Sequence, residues 1–212
     1  MRLVVTDAAI SFHGVAIFSG LNGTFESGAV TALVGPSGSG KSSLLAAIGG
    51  FQSLSSGRIE LFREDGSAPS APSPDAIAWV PQGSNALSRR TARDNVLVAA
   101  LAGGHSLREA TELARDALDQ VGLSHRLSEQ ARRLSGGELQ RVAIARALAS
   151  GKDLVLADEP SANLDARNTE EVAALLERLV TRATVIVATH DPLLIDAAHA
   201  VVPMRGVVPS DA

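Results

Sequence analysis

Cysteine is absent from the 212 residues, and acidic residues outnumber basic ones by 23 to 19. Without cysteine the chain can form neither a disulfide framework nor a thiolate zinc site, and nothing in its composition requires an oxidising compartment. The formal net charge of -4 and the pI near 5.7 remove the overall basic character with which nucleic-acid-binding proteins neutralise phosphates. We therefore expect a cytosolic chain with no nucleic-acid partner.

Long apolar stretches are missing as well. No uninterrupted apolar run approaches the roughly 20 residues that are needed to span a bilayer. Residues 1–10 alternate polar and apolar side chains, and they lack the basic start, the apolar segment and the small-residue cleavage site of a signal peptide. The sequence therefore predicts a chain that does not cross a membrane by itself.

Shorter apolar runs, of strand length, alternate with helical patterns along the chain, whose length fits one domain spanning 1–212. Several runs are apolar at every position, which is typical of parallel strands covered on both faces. We predict strands at 3–10, 29–34, 58–62, 77–80, 154–157 and 184–188, and helices at 41–48, 91–101, 107–121, 138–149 and 166–180. This alternation favours an α/β fold.

One stretch, from Gln82 to Leu134, interrupts the alternation of strand and helix. It has the pattern of successive helices separated by glycines, with no strand between them. We therefore predict a helical subdomain, at about residues 83–134, inserted in the α/β core.

Residues 35–42, Gly-Pro-Ser-Gly-Ser-Gly-Lys-Ser, match a phosphate-binding loop between a strand and a helix. Its glycines allow successive backbone N–H groups to face an anion, and the helix start adds partial positive charge. A chance match to the pattern in a chain of this length is on the order of one per cent, so we prefer this interpretation to a plain glycine-rich turn. We predict that Lys41 binds the β and γ phosphates of ATP and that Ser42 ligates Mg²⁺. The predicted nucleotide-binding residues here are Gly35, Pro36, Ser37, Gly38, Ser39, Gly40, Lys41, Ser42 and Ser43.

Two carboxylates follow the apolar run at 154–157, where Pro160 prevents the strand from continuing. Open parallel sheets bind ligands at the carboxyl ends of their strands. Because adjacent strand residues point to opposite faces, we expect the two acids to have separate tasks. We assign Asp158 to a water on Mg²⁺ and Glu159 to polarising the water that attacks the γ phosphate. The alternative is an exposed acidic strand end without a function.

A second helix start lies at residues 134–138, Leu-Ser-Gly-Gly-Glu. Ser135 and Glu138 have the spacing of a capping box, which a plain helix start would also show. The pair Gly136 and Gly137 is costly in a first helical turn, but it is useful if a phosphate must approach the backbone closely.

With this segment the chain resembles the ATP-binding cassette (ABC) family over essentially its whole length. The resemblance implies a P-loop NTPase core with a mostly parallel sheet, a small antiparallel N-terminal β part and the inserted helical subdomain. It also implies a head-to-tail dimer, in which Ser135 and Gly137 of one copy close over the γ phosphate held by Lys41 of the other. Gly136 belongs to the same nucleotide-binding set.

Other residues fall in register with the family. Gln82 corresponds to the glutamine that touches Mg²⁺ and the attacking water. Residues 161–165 correspond to the loop that crosses to the partner cassette, and His190 corresponds to a switch histidine at the γ phosphate. Taken singly, such a glutamine is usually a surface residue and such a histidine a structural one. The resemblance implies a catalytic set of Lys41, Gln82, Glu159 and His190, and a metal set of Ser42, Gln82 and Asp158.

Phe12 lies where the family usually places an aromatic ring, commonly tyrosine, on the adenine base. Phenylalanine keeps the aromatic face and loses the hydroxyl, so selectivity against GTP should be modest. Ordinary core packing is the alternative role for this ring.

Residues 35–45, residues 136–148 and Asn163 look like the branch of the family that serves lipoprotein release, macrolide-type efflux and haem export. That resemblance implies two cassettes beneath two integral membrane permease subunits, at the cytoplasmic face of the cell membrane, acting by mechanotransmission. An exporter or extractor is favoured because the sequence after His190 is short, whereas many sugar and metal importers carry a C-terminal regulatory domain. The alternatives are the ATPase of an importer, a soluble cassette acting on nucleic acid, and a P-loop kinase. Nothing in the sequence names the transported substrate.

Overall fold

The protein is described here by a computed structural model that covers residues 1–205, so residues 206–212 of the predicted single domain lie outside the described part. A small antiparallel sheet has the strand order β2-β1-β4, and a parallel sheet has the order β5-β6-β7-β3-β8. The strands are β1 (Arg2–Phe12), β2 (Val15–Phe25), β3 (Val30–Val34), β4 (Ser56–Phe62), β5 (Ile77–Val80), β6 (Leu154–Asp158), β7 (Thr184–Thr189) and β8 (Ala200–Pro203). The α-helices are α1 (Lys41–Ile48), α2 (Ala92–Ala102), α3 (Leu107–Gln120), α4 (Gly136–Ser150), α5 (Ala166–Leu179) and α6 (Pro192–Asp196). The predicted fold class is confirmed, including the small antiparallel sheet.

The central strands are apolar throughout because both faces of the parallel sheet are covered. On β6, Val155 and Ala157 join the core formed with α4 and α5, whereas Leu154 and Leu156 join the core formed with α1 and the antiparallel sheet. Since successive strand residues point to opposite faces, each strand supplies both cores. This arrangement fixes the positions of the strand ends at which the candidate site lies.

Three elements were not predicted, namely β2, β8 and α6. β2 contains Gly20 and Gly23, and its pairing with β1 shifts register more than once. β8 has only four residues and ends in a proline, and α6 has only five. Glycine and short length weaken the periodic signals by which strands and helices are recognised.

The segment between β5 and α4 contains α2 and α3, as predicted. Thr91 and Ser106 each cap a helix in a complete capping box. Small side chains such as Ala100, Ala114 and Ala143 are buried where these helices meet α4. Because α4 also packs on the sheet, it joins the two parts of the chain, and the boundary at about residues 83–134 stays a proposal.

Helix α4 begins two residues earlier than the predicted start at 138. Its first turn therefore contains Gly136 and Gly137, with Ser135 as N-cap. Within residues 1–205, no helix combines the length and the hydropathy that a membrane span needs.

Candidate functional site

The phosphate-binding loop, the strand ends and the predicted glutamine and histidine converge on one cavity of about 390 Å³. It lies at the carboxyl edge of the parallel sheet, where open α/β sheets bind their ligands. The cavity is lined by Ile17, Ser37, Gly38, Gly40, Lys41, Ser42, Ser43, Gln82, Glu159 and His190. Nine of these ten residues were predicted from the sequence.

The loop from Gly35 to Gly40 is held tightly against its surroundings. A Cβ atom on Gly35 would lie 2.5 Å from the backbone oxygen of Met204. Gly40 has φ of +90°, and a Cβ atom there would lie 2.6 Å from the ring of Phe18. Glycine is therefore required at both positions, and at Gly38 and Gly40 the loop presents backbone without a side chain to the cavity.

Lys41, the first residue of α1, is buried with its ammonium group at the base of the cavity. The Nζ atom donates hydrogen bonds to the backbone oxygens of Gly35 at 2.9 Å and Pro36 at 3.3 Å, and it lies 3.6 Å from Oε1 of Glu159. A buried cation needs such partners because it has lost most of its hydration. The loop thus surrounds a positive charge that faces the place predicted for phosphates.

Ser42 and Asp158 meet although they are 116 residues apart. The hydroxyl of Ser42 donates a hydrogen bond of 2.9 Å to Oδ1 of Asp158, the last residue of β6. Burial raises the pKa of Asp158, while the Ser42 hydroxyl and, more weakly, Lys41 oppose this and the charge of Glu159 adds to it. Mg²⁺ prefers hard oxygen ligands, so this pair of oxygens fits the predicted metal.

The prediction that Asp158 and Glu159 point to opposite faces of a strand is wrong, because Glu159 does not have the extended backbone of a strand. Its φ is +45°, so the backbone leaves the extended conformation immediately after β6. Both carboxylates consequently lie near the phosphate-binding loop: Asp158 contacts Ser42, and Glu159 contacts Lys41 and Nδ1 of His190, the latter at 3.0 Å. Their tasks can still differ, but the reason is their different partners and not opposite faces of a strand.

The backbone at this carboxylate and in the adjoining loop is strained. Glu159 and Asn163 are two of the five non-glycine residues with positive φ in residues 1–205. Each such residue costs on the order of 1–3 kcal/mol unless its surroundings compensate. Glu159 is supported by a backbone hydrogen bond of 2.8 Å from its N–H to the oxygen of Ala188 on β7.

A second cavity of about 510 Å³ adjoins the first and is lined by Ser161, Ala162, Asn163 and Leu164 together with Gln82, Glu159 and His190. These four residues belong to the predicted crossing loop. The loop therefore opens next to the same glutamate and histidine that line the phosphate cavity.

Some predicted residues lie elsewhere. Phe12 is 47% exposed at the end of β1, and it is not among the described residues that line either cavity, whereas Ile17 of the unpredicted strand β2 lines the first. The hydroxyl of Ser39 is buried without a hydrogen-bond partner among residues 1–205. The adenine contact by Phe12 stays a prediction, and Ile17 is the residue that sequence reasoning missed because the glycines of β2 hid the strand.

The start of α4 also lies outside both cavities. The capping box is complete, since Oε2 of Glu138 accepts from the N–H of Ser135 at 2.8 Å and the Ser135 hydroxyl accepts from the N–H of Glu138 at 3.3 Å. A Cβ atom on Gly137 would lie 2.4 Å from Oδ1 of Asn168, whereas one on Gly136 would meet nothing within 4 Å. Packing against Asn168 therefore accounts for Gly137, and only Gly136 has no explanation within the chain.

Three comparisons relate the chain to known proteins. The sequence profile of the family described as "ABC transporter" matches residues 18–162. The chain is 40% identical over 187 residues to the lipoprotein-releasing system ATP-binding protein LolD of Geobacter metallireducens, covering 85% of this chain and 83% of LolD. It is 38% identical over 215 residues to the macrolide export ATP-binding/permease protein MacB of Rhodopirellula baltica, covering 97% of this chain and 31% of MacB. The dimeric structure of the ATP-binding cassette MJ0796 in a post-hydrolysis state bound to ADP and Pi has a TM-score of 0.79 and 26% identity, over 96% of this chain and 94% of that one.

Replacement of the buried lysine tests the phosphate site. Lys41→Ala removes the only ammonium group that lines the cavity among residues 1–205, so we expect the affinity for MgATP to fall by about ten- to a hundredfold, as for a lost charge-assisted hydrogen bond. Isothermal titration calorimetry measures this directly. Lys152→Ala, which removes the other lysine of the sequence, is the matched control. Undiminished affinity in Lys41→Ala would contradict the assignment.

The two glycines of α4 make a matched pair for stability. Gly137→Ala should destabilise the fold by about 1–3 kcal/mol, because the added methyl overlaps Asn168. Gly136→Ala should be neutral or stabilise the fold by up to about 1 kcal/mol, because its methyl enters open space and alanine favours a helix more than glycine does. Urea unfolding followed by circular dichroism measures both. Equal losses for the two variants would refute the packing argument.

Proposed function

The chain belongs to the ABC transporter family, and from that premise we propose that it is the MgATP-hydrolysing subunit of a membrane exporter or extractor, working as a head-to-tail dimer. ATPase activity itself follows from the family. The resemblance to the lipoprotein-release and macrolide-export branch is confirmed by the relatives LolD and MacB. The observation that carries the proposal is the convergence of Lys41, Ser42, Gln82, Glu159 and His190 on one cavity.

The residues of the cavity suit phosphoryl transfer to water. The glycine loop and Lys41 bind the phosphates, and Glu159, held by His190, accepts the proton of the attacking water. Mg²⁺, when bound, would neutralise the developing charge on the phosphates, and the residues proposed to hold it are Ser42, Asp158 and Gln82. Lys41 lies 3.6 Å from Glu159, so its positive charge offsets the repulsion between that carboxylate and bound phosphates.

The dimer is proposed because the start of α4, which the family resemblance assigns to nucleotide binding, lies outside the phosphate cavity of its own chain. Ser135 and Gly136 are exposed at the start of α4 and do not line the cavity of their own chain. Gly136 has open space around it, which allows an anion to reach the backbone N–H groups of the first turn. The relative MJ0796 was solved as a dimer with ADP and Pi, which supports the same assembly here.

The membrane partner is proposed from the relatives. LolD is described as the ATP-binding protein of a lipoprotein-releasing system. MacB is described as an ATP-binding/permease protein, and this chain matches 31% of its length. We infer that this chain serves permease subunits of the same kind, which hold it at the cytoplasmic face of the membrane and receive its movement by mechanotransmission. An importer is the second candidate, and a soluble, non-transport cassette is the third.

Loss of the proposed base should separate binding from turnover. Glu159→Gln keeps the shape of the side chain and removes the proton acceptor, so we expect retained ATP binding, a fall in turnover of about 10²–10⁴-fold, and an ATP-dependent dimer. Phosphate release and light scattering after size exclusion measure these. Glu112→Gln, an exposed change on α3, is the control. Turnover at the parent rate would remove Glu159 from this role.

Co-expression tests the transport proposal. We expect the chain to copurify with a permease of four membrane spans and a large extracytoplasmic domain encoded beside it, and its ATPase rate to rise in the complex. The complex is measured in detergent and in proteoliposomes. Copurification instead with an importer-type permease would favour the second candidate. Stimulation by DNA or RNA without any membrane partner would favour the third.

A further inference from the structure

The capping box at the start of α4 uses a carboxylate, and this creates an electrostatic conflict. Glu138 stabilises the helix because its Oε2 accepts the N–H of Ser135, and that hydrogen bond lowers the pKa of Glu138. The first turn of the same helix is the surface proposed to receive the γ phosphate bound by a second copy. A carboxylate beside an incoming phosphate repels it, and at a partly buried site water screens this repulsion only in part.

The second carboxylate oxygen of Glu138 is held by an arginine from the segment that precedes α4. Arg126, at the end of the short 3₁₀ helix Ser124–Arg126, donates from Nε to Oε1 of Glu138 at 3.0 Å. The side chain of Glu138 is 13% exposed and that of Arg126 is 42% exposed. Both oxygens of Glu138 are thus engaged, one by the helix start and one by a guanidinium group.

The pairing is not an accident of helical spacing. Arg126 and Glu138 are 12 residues apart and lie on different elements, so the contact depends on how the segment before α4 folds back. Exposed arginines nearby make other contacts, since Arg133 pairs with Glu129 at 3.4 Å. Among residues 1–205, Arg126 is the cation that lies within 4.0 Å of Glu138.

We propose that Arg126 is a positioning residue for ATP hydrolysis, which neutralises Glu138 so that the start of α4 can accept the phosphates bound by a second copy of the chain. The inference rests on the proposed head-to-tail dimer. According to this inference, Arg126 is necessary for dimer formation only because the capping residue, Glu138, is charged. A neutral glutamine at 138 could keep the hydrogen bond to Ser135 without repelling a phosphate, and it would remove the need for Arg126.

This dependence gives the test. In the Glu159→Gln background, Arg126→Met should raise the MgATP concentration for half-maximal dimer formation at least roughly tenfold, as expected when a charged group loses its partner. In the Glu159→Gln/Glu138→Gln background, the same Arg126→Met change should shift that concentration by less than about threefold. With Glu138 present, the defect should also shrink as NaCl rises, because added salt screens the repulsion. Size exclusion with light scattering measures the dimer.

Two controls accompany the cycle. Arg133→Met removes a nearby exposed arginine that does not contact Glu138, and it should leave dimer formation unchanged. Arg126→Lys keeps the charge and should stay within a few fold of the parent, which preserves the test if Arg126→Met folds poorly. Calorimetric MgATP affinity, measured at protein concentrations below those that form the dimer, should not change among the variants at Arg126 and Arg133, because the phosphate loop of the same chain is untouched.

The outcomes distinguish a failure of the inference about Arg126 from a failure of the proposed head-to-tail dimer. If Glu159→Gln protein forms no dimer with MgATP, the proposed head-to-tail assembly fails. If it dimerises but Arg126→Met has no effect, the inference about Arg126 is wrong. If Arg126→Met is equally harmful with glutamate and with glutamine at 138, Arg126 is only a structural brace, and the inference is equally overturned.

Discussion

The buried ammonium group of Lys41 is the interaction on which the site depends. A cation at that depth needs negative partners, and it has them in two loop carbonyls and in Glu159. These contacts draw together the loop after β3 and the segment after β6, two strands between which β7 lies in the sheet. The cavity is therefore built around a positive charge, which suits the binding of a triphosphate.

Much of this arrangement could be predicted because its determinants are local in sequence. The glycine loop, the apolar strand before Asp158 and the Ser135 capping box each signal themselves within a few residues. What could not be predicted depends on contacts between distant segments. The left-handed backbone at Glu159 has no sequence signature, and it brings both carboxylates to one cavity. Ile17 lies on a glycine-containing strand, and Gly137 is explained only by Asn168 on another helix.

The starts of helices α1 and α4, both proposed to bind phosphate, differ in how far they are buried. At α1, the loop is enclosed: Gly35 and Gly40 are fixed by contacts with Met204 and Phe18, and Lys41 is buried. At α4, Ser135 and Gly136 are open to solvent and only Gly137 is packed. The enclosed start of α1 can bind a phosphate by itself, whereas the exposed start of α4 needs a second protein surface to enclose one. This difference in burial is what the proposed dimer, which forms and dissociates, would require.

The same contrast explains why α4 carries a charge conflict that α1 does not. Helix α1 has no acidic residue in its first turn, and the two carboxylates beside it come from the end of β6. Asp158 is held there by Ser42, and Glu159 is held by Lys41 and His190. Helix α4 begins with the open Gly136 and the packed Gly137, and its start is stabilised by Glu138. This carboxylate favours the helix and disfavours an anion. Stability of one helix and recognition of a phosphate make opposite demands on that residue, and a cation from outside the helix reconciles them. Local capping rules therefore account for Glu138, and the proposed anion site gives the arginine that accompanies it a role beyond pairing with a partly buried carboxylate.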